Sequence, residues 1–215
     1  MKAIFLDRDG VINRNMDNDY VKNWDEFEFL PNSLEAIKRL TEANYPLIVI
    51  TNQACVSKKI VSPQTLNDIH QKMIAEVENA GGRIHAIYHC PHRDEDQCDC
   101  RKPKPGMLIQ AAYEHNINLF DSYLIGDSIT DIEAGQQVGC RTLLVLTGHG
   151  AKTEQQLRGH TSHQNVRPEN VFADLHSAAL WILSKSNRVN RDSENKQLCN
   201  SSNHINRDSE NYSGD

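Results

Sequence analysis

The chain opens on a segment that leaves few folds open to it: Ala3-Ile4-Phe5-Leu6 runs directly into Asp7-Arg8-Asp9-Gly10. An apolar run this short and unbroken predicts a strand buried on both faces, as in parallel sheets. Asp7 then stands at the carboxyl end of that strand, where open α/β sheets place their ligands. Two carboxylates one residue apart, followed by a glycine that permits a sharp turn, can hold a hard cation and leave one carboxylate free as a nucleophile. The competing reading is a surface turn that happens to be acidic, and the rest of the chain has to decide between them.

The strand pattern recurs. Pro46-Leu47-Ile48-Val49-Ile50, residues 84–88, 122–125 and 142–146, and Val171-Phe172-Ala173 read as further strands. Helical spacing of apolar residues follows Leu30-Pro31-Asn32-Ser33 and fills 105–115 and 130–138. Ser62-Pro63 supplies an N-cap and a first-turn proline for a helix that carries Leu66, Ile69, Met73 and Val77 and stops at Gly81-Gly82. Asp174 caps a last helix, while residues 11–29 have no clear period and read as a loop over the active-site face. Strands alternating with helices predict a doubly wound parallel α/β sheet with helices on both faces. No segment between the motifs is long enough for a large cap domain.

At 215 residues the chain suits one domain with a full core, expected over residues 1–183. From about Ser184 the composition turns to Asn, Ser, Asp, Glu and Arg, and Asn-Arg-Asp-Ser-Glu-Asn occurs at both 190–195 and 206–211. So polar a tail, residues 184–215, cannot bury enough surface to offset its ordering entropy and is expected to be disordered. A formal net charge of −6 argues against non-specific nucleic-acid binding, and no apolar run reaches membrane-spanning length. The amino terminus passes straight into the first strand without a leader-like segment, so a cytoplasmic enzyme, taken as a monomer, is the expectation.

Four elements distant in sequence each follow a predicted strand: Asp7-x-Asp9, Thr51-Asn52-Gln53, Arg101-Lys102-Pro103 and Gly126-Asp127-Ser128-Ile129-Thr130-Asp131. In a parallel sheet these ends converge on one crevice. Carboxylates, a hydroxyl, an amide, a lysine and an arginine together suit a phosphate ester bound with Mg²⁺: oxygen ligands for the metal, cations and N–H groups for the phosphoryl oxygens. Separately, Cys90-x-His92 and Cys98-x-Cys100 give three thiolates and an imidazole at a spacing that fits a closed, structural tetrahedral Zn²⁺ site. Arg101 and Lys102 follow the last of these ligands directly, so the zinc would fix their positions.

The order Asp-x-Asp-Gly, Thr, Lys and Gly-Asp-x-x-x-Asp resembles the haloacid dehalogenase (HAD) superfamily of phosphohydrolases. The fuller strings Phe5-Leu6-Asp7-Arg8-Asp9-Gly10-Val11-Ile12-Asn13, Thr51-Asn52-Gln53 and Cys-Pro-His…Cys-Asp-Cys-Arg-Lys-Pro are similar to the D,D-heptose 1,7-bisphosphate phosphatases over residues 1–183. The resemblance implies Asp7 as the nucleophile that becomes an aspartyl phosphate, and Asp9 as general acid and then base. It implies Thr51, Asn52, Gln53 and Lys102 around the phosphate, and Mg²⁺ on Asp7, Asp127 and the carbonyl of Asp9. Asp131 is expected to cap a helix or support the site, and Arg101 to grip the part of the sugar phosphate that is not hydrolysed. Two departures keep the substrate open. Ser57-Lys58-Lys59 stands where the heptose enzymes have a Gly-Arg-Gly-like segment, and the short spacing from His92 to Cys98 is closer to the histidinol-phosphate phosphatases. A non-catalytic, zinc-stabilised binding module is the third possibility.

Overall fold

In the computed structural model, residues 1–16, 19–159 and 165–186 are described. Six strands form one parallel sheet in the order β3-β2-β1-β4-β5-β6. They are β1 (Ile4–Leu6), β2 (Leu47–Asn52), β3 (Ala86–Cys90), β4 (Tyr123–Gly126), β5 (Arg141–Val145) and β6 (Asn170–Phe172). Between them run α1 (Ser33–Glu42), α2 (Pro63–Asn79), α3 (Gly106–His115), α4 (Ile129–Gln137) and α5 (Gly150–Arg158), and residues 175–186 are also helical. Met1–Ala179 make one compact unit. The repeated Asn-Arg-Asp-Ser-Glu-Asn segments lie outside the described residues. Among the described residues, no helix is long and apolar enough to cross a membrane.

The sheet explains the opening motif. The three residues of β1 are fully buried, with β2 and β4 on either side; Leu6 pairs with Val49 on one flank and Ile125 on the other. Only a continuous apolar run satisfies a strand covered on both faces. The chain first winds outward through β2 and β3, then returns to β4, so the order reverses between β1 and β4. Ligand crevices in open sheets form where that reversal separates the strand ends. Asp7 follows β1 and Asp127 follows β4, which puts both acids at this point.

Local signals account for several helix ends. Ser62 Oγ accepts from Thr65 N at 3.0 Å ahead of Pro63, and Gly81, at φ 85°, lies just beyond the end of α2. Ser128 and Asp131 form a capping box on α4: Thr130 N donates to Ser128 Oγ, and Ser128 N to Asp131 Oδ2.

Two elements differ from the sequence expectation. The third strand lies at 86–90 rather than 84–88, because its pairing with β2 runs from Ala86 opposite Ile48 to Cys90 opposite Asn52. Ladder hydrogen bonds, not local apolarity, set its limits. Helix α5 has no apolar stripe that would announce it: its buried residues are Gly150 and Thr153. The 11–29 loop, expected to be irregular, carries its own anchors: Val11, Ile12, Val21 and Phe27 are buried, and the Trp24 and Phe27 rings stack at 4.9 Å.

Candidate active site

Asp7, Asp9, Thr51, Asn52, Arg101, Lys102 and Asp127 all line one cavity of about 440 Å³ at the carboxyl end of the sheet. Its centre is Lys102, which is 4% exposed. The ammonium lies 3.0 Å from Asp7 Oδ1 and 2.5 Å from Asp131 Oδ1, and donates to Ile50 O at 3.0 Å. Asn52 holds the backbone of this residue in both directions, donating from Nδ2 to Lys102 O at 3.0 Å and accepting from Lys102 N at 3.1 Å. The amide of Asn52 is therefore spent on placing the lysine.

Gln53, expected beside the phosphate, does not line the cavity and is 1% exposed. Its Nε2 donates to Asp9 Oδ2 at 2.8 Å and to Thr51 Oγ1 at 2.9 Å. Thr51 accepts this bond and so keeps its own O–H as a donor.

Asp9 is gripped from three sides. Arg8 Nη2 donates to both carboxylate oxygens at 2.9 Å, Asn13 Nδ2 to Oδ1 at 2.9 Å, and Gln53 from the other flank. Burial alone would raise the Asp9 pKa, but the Arg8 charge and these donors outweigh it and hold the carboxyl below its ordinary value. Asp7 has the opposite balance. Burial pushes it up to about 7, with Lys102 opposing and the charges of Asp131 and Asp9 adding to the rise. Asp127 is likewise raised well above the ordinary value by burial and by Asp7 and Asp131. Burial alone would lower Lys102, but the charges of Asp131 and Asp7 outweigh it and raise its pKa.

The carboxylate oxygens of Asp7, Asp127 and Asp131 lie within 4.8 Å of one another and are buried. One lysine stands against these three acids, and a donor set of buried carboxylates with a deficit of positive charge fits a divalent hard cation. Asp127 is braced for that role: its Oδ2 accepts from His149 N at 2.7 Å and its carbonyl from Thr153 Oγ1 at 2.9 Å. Asp131 caps α4 and also pairs with Lys102, a contact not read from the sequence.

Cys90, His92, Cys98 and Cys100 also converge. Cys90 Sγ lies 3.5 Å from Cys98 Sγ and 3.6 Å from His92 Nδ1, while Cys100 Sγ is 3.4 Å from both His92 Nδ1 and Cys98 Sγ. A tetrahedron with metal–sulfur bonds of ~2.3 Å and metal–nitrogen bonds of ~2.0 Å has edges of roughly 3.5–3.8 Å, so the donor set fits zinc. The same loop positions Arg101, whose Nη1 donates to His92 O at 3.2 Å and whose Nε bonds Asp94.

Arg8, Asn13 and His149 are among the residues at or behind the cavity that were not read from the sequence as site residues. Arg8 and Asn13 fix Asp9. His149 lines the cavity, its Nε2 2.6 Å from Asn15 Nδ2. The signal for His149 was available, since Thr147-Gly148-His149 follows β5 as the other motifs follow their strands. Lys58 reaches the same cavity and donates to Tyr20 OH at 3.0 Å, so the Ser57-Lys58-Lys59 segment does bring a cation to the mouth.

A family model described as HAD-hydrolase-like matches residues 99–178. A D-glycero-β-D-manno-heptose-1,7-bisphosphate 7-phosphatase of Neisseria meningitidis serogroup B is 41% identical over 192 residues, covering 89% of this chain and all of that protein. The enzyme of the same name from Bordetella bronchiseptica is 44% identical over 73% of this chain and 87% of its own length. A crystal structure of D,D-heptose 1,7-bisphosphate phosphatase from B. bronchiseptica, complexed with magnesium and phosphate, superposes with a TM-score of 0.79 at 40% identity, over 86% of this chain and 99% of that one. With the doubly wound sheet and the convergent strand-end acids, these likenesses make the chain a HAD-type phosphatase that belongs to the D-glycero-β-D-manno-heptose-1,7-bisphosphate 7-phosphatase family.

Proposed function

We propose that the protein removes the C7 phosphate of D-glycero-β-D-manno-heptose 1,7-bisphosphate, with Asp7 as nucleophile and Asp9 as the acid and base. The observation that carries this reading is the juxtaposition at the end of β1. Asp7 meets the Lys102 ammonium at 3.0 Å, and the Asp9 carboxylate opens onto the same cavity two residues on. The names of the 41% and 44% identical relatives supply the substrate.

In the first half-reaction an Asp7 carboxylate oxygen attacks phosphorus, and the bond from phosphorus to the sugar oxygen breaks. Asp9, ionised in the free enzyme, takes up a proton when the negatively charged phosphate binds beside it, and that proton passes to the leaving oxygen. In the second, the Asp9 carboxylate takes a proton from water as its oxygen attacks the aspartyl phosphate, freeing Asp7 and phosphate. Thr51 donates its hydroxyl to a phosphoryl oxygen, Lys102 neutralises developing charge, and Asn52 and Gln53 hold these two residues in place. Mg²⁺, held by Asp7, Asp127 and the Asp9 carbonyl, would supply positive charge that lets an anionic nucleophile approach an anionic ester. Zn²⁺ on Cys90, His92, Cys98 and Cys100 would be structural, because the four protein donors fill a tetrahedron. Arg101 and Lys58, both at the cavity, provide the cations for the second phosphate.

The test is phosphate release with Mg²⁺ from the heptose bisphosphate, from histidinol phosphate, and from both with Asp7→Asn. Turnover of the bisphosphate that disappears in Asp7→Asn is expected. A preference for histidinol phosphate would overturn the substrate assignment, and full activity of Asp7→Asn would overturn the nucleophile.

A further inference from the structure

Behind the cavity, one buried side chain on α2 is tied to the acid–base residue without touching the space a substrate would fill. His70 is 5% exposed, and its Nε2 lies 3.0 Å from Nη1 of Arg8, itself 1% exposed. A guanidinium can only donate, so Nε2 is the acceptor nitrogen and the ring is the neutral tautomer with its proton on Nδ1. Burial, with Arg8 and His89 alongside, agrees by holding the His70 pKa down at about 3. The opposite edge of the same guanidinium meets Asp9, Nη2 at 2.9 Å from both oxygens and Nε at 3.3 Å from Oδ1.

The result is a continuous chain of contacts from Asp9, at the cavity, through the buried Arg8 to the buried His70. Arg8 and Asp9 are neighbours in sequence, and a long side chain held only by the residue next to it can pivot about its own torsions. The second anchor on α2 removes that freedom. Asn13 and Gln53 complete the hold on the carboxylate, the Asp7 carboxylate and the Cys55 thiol being the other ionisable groups close by.

We propose that His70 is a positioning residue for the acid–base step: by accepting from Arg8 Nη1 it fixes the guanidinium plane that aims the Asp9 carboxylate at the leaving oxygen. The inference rests on the assignment of Asp9 as the general acid.

It is tested by comparing kcat/KM on two probes, the sugar bisphosphate and 4-nitrophenyl phosphate. This parameter covers the steps up to loss of the alcohol. An alkoxide needs a proton to leave, whereas 4-nitrophenolate leaves without one, so misaiming the acid penalises the alkyl ester selectively. His70→Leu is expected to lower kcat/KM on the bisphosphate by about 10-fold or more and on the aryl phosphate by less than about 2-fold. His70→Gln, which offers an acceptor oxygen, is expected to recover most of the loss. Equal losses on both probes, or no recovery with Gln, would overturn the inference. If His70→Leu does not fold, His70→Met, similar in volume and lacking a strong acceptor, is scored in the same way. Asp9→Asn separates the two levels: if it loses activity equally on both probes, the assignment of Asp9 as the acid falls and the role of His70 with it. If it is selective and His70→Leu is not, only the role of His70 falls.

Discussion

The Lys102 ammonium lies 2.5 Å from Asp131 Oδ1, and the two residues are 4% and 0% exposed. The other Asp131 oxygen accepts from Ser128 N at 3.1 Å, so one carboxylate both starts α4 and anchors the cation beside Asp7. Removing the Asp131 charge takes one charged hydrogen-bond partner from Lys102 and leaves Asp7 at 3.0 Å, which costs about 1.5–3 kcal/mol. Asp131→Asn is therefore expected to lower the Tm by roughly 3–12 °C and to reduce kcat, since Lys102 then has only Asp7 to pair with. Urea unfolding and steady-state assays check both. An unchanged unfolding midpoint would mean that the pair contributes no net stability.

The raised pKa of Asp7 gives a pH signature. Its ordinary value is 3.8 and its folded value about 7, so between these limits the folded state binds more protons than the unfolded one. Stability from this group is full below pH ~4 and falls as pH rises toward 7. His70 charges in the opposite sense across part of this window, so the informative quantity is a difference. In protein prepared without Mg²⁺, Asp7→Asn is expected to match the wild type near pH 4.5 and to melt at progressively higher temperature than the wild type up to pH 7.5. Adding Mg²⁺ to the wild type at pH 7.5 should close the gap by binding the ionised form. Scanning calorimetry across pH, with and without Mg²⁺, gives the answer; a gap independent of pH would remove Asp7 as its source.

The central motifs were legible because each rests on a rule that sequence carries directly. A fully apolar run marks β1, and strand ends in a parallel sheet converge, so Asp7, Thr51, Lys102 and Asp127 are found together where their spacing places them. What escaped depends on tertiary pairing. Arg8 sits between the two acids and would pass for a solvated charge, yet its guanidinium is buried by a contact with His70, 62 residues away. Gln53 and Asn52 read as phosphate ligands because they share a tripeptide with Thr51, but their amides are engaged with Asp9, Thr51 and the Lys102 backbone. Helix α5 was silent because it packs a glycine and a threonine rather than an apolar stripe.

The proposed zinc site predicts that the Cys/His loop couples stability to substrate affinity. Arg101 is held by His92 O and Asp94, both inside the loop that the four donors close. Elemental analysis is expected to find one zinc per chain, and Cys98→Ser or Cys100→Ser to lose it. Without the metal the loop loses its fixed geometry, and KM for the bisphosphate should rise about 10-fold or more while KM for 4-nitrophenyl phosphate changes little, because only the larger substrate reaches Arg101. A zinc-free protein with unchanged KM for the bisphosphate would uncouple the loop from recognition.

Gly10 is the point at which the opening motif meets Asp127, the acid proposed for Mg²⁺. It has φ +85°, and a Cβ there would fall 2.1 Å from Asp127 Oδ2 and 2.6 Å from its carboxyl carbon. Neither party can yield easily. Thr147 Oγ1 donates to Gly10 O at 2.6 Å and His149 N to Asp127 Oδ2 at 2.7 Å, so one loop clamps both. Gly10→Ala combines a left-handed backbone that alanine disfavours with a clash against a buried carboxylate. Disturbing the groups that hold a metal ligand in place typically weakens affinity by about 10–100-fold, so, with Asp127 as the proposed Mg²⁺ ligand, the variant is expected to need correspondingly more Mg²⁺ for half-maximal activity, with kcat at saturating Mg²⁺ falling less. A Mg²⁺ titration of activity, beside a melting curve to register the backbone strain, separates the two effects. If the half-saturating Mg²⁺ concentration stays unchanged while the Tm drops, Gly10 serves the turn alone; a parallel change in both means that the turn is built around the Asp127 carboxylate.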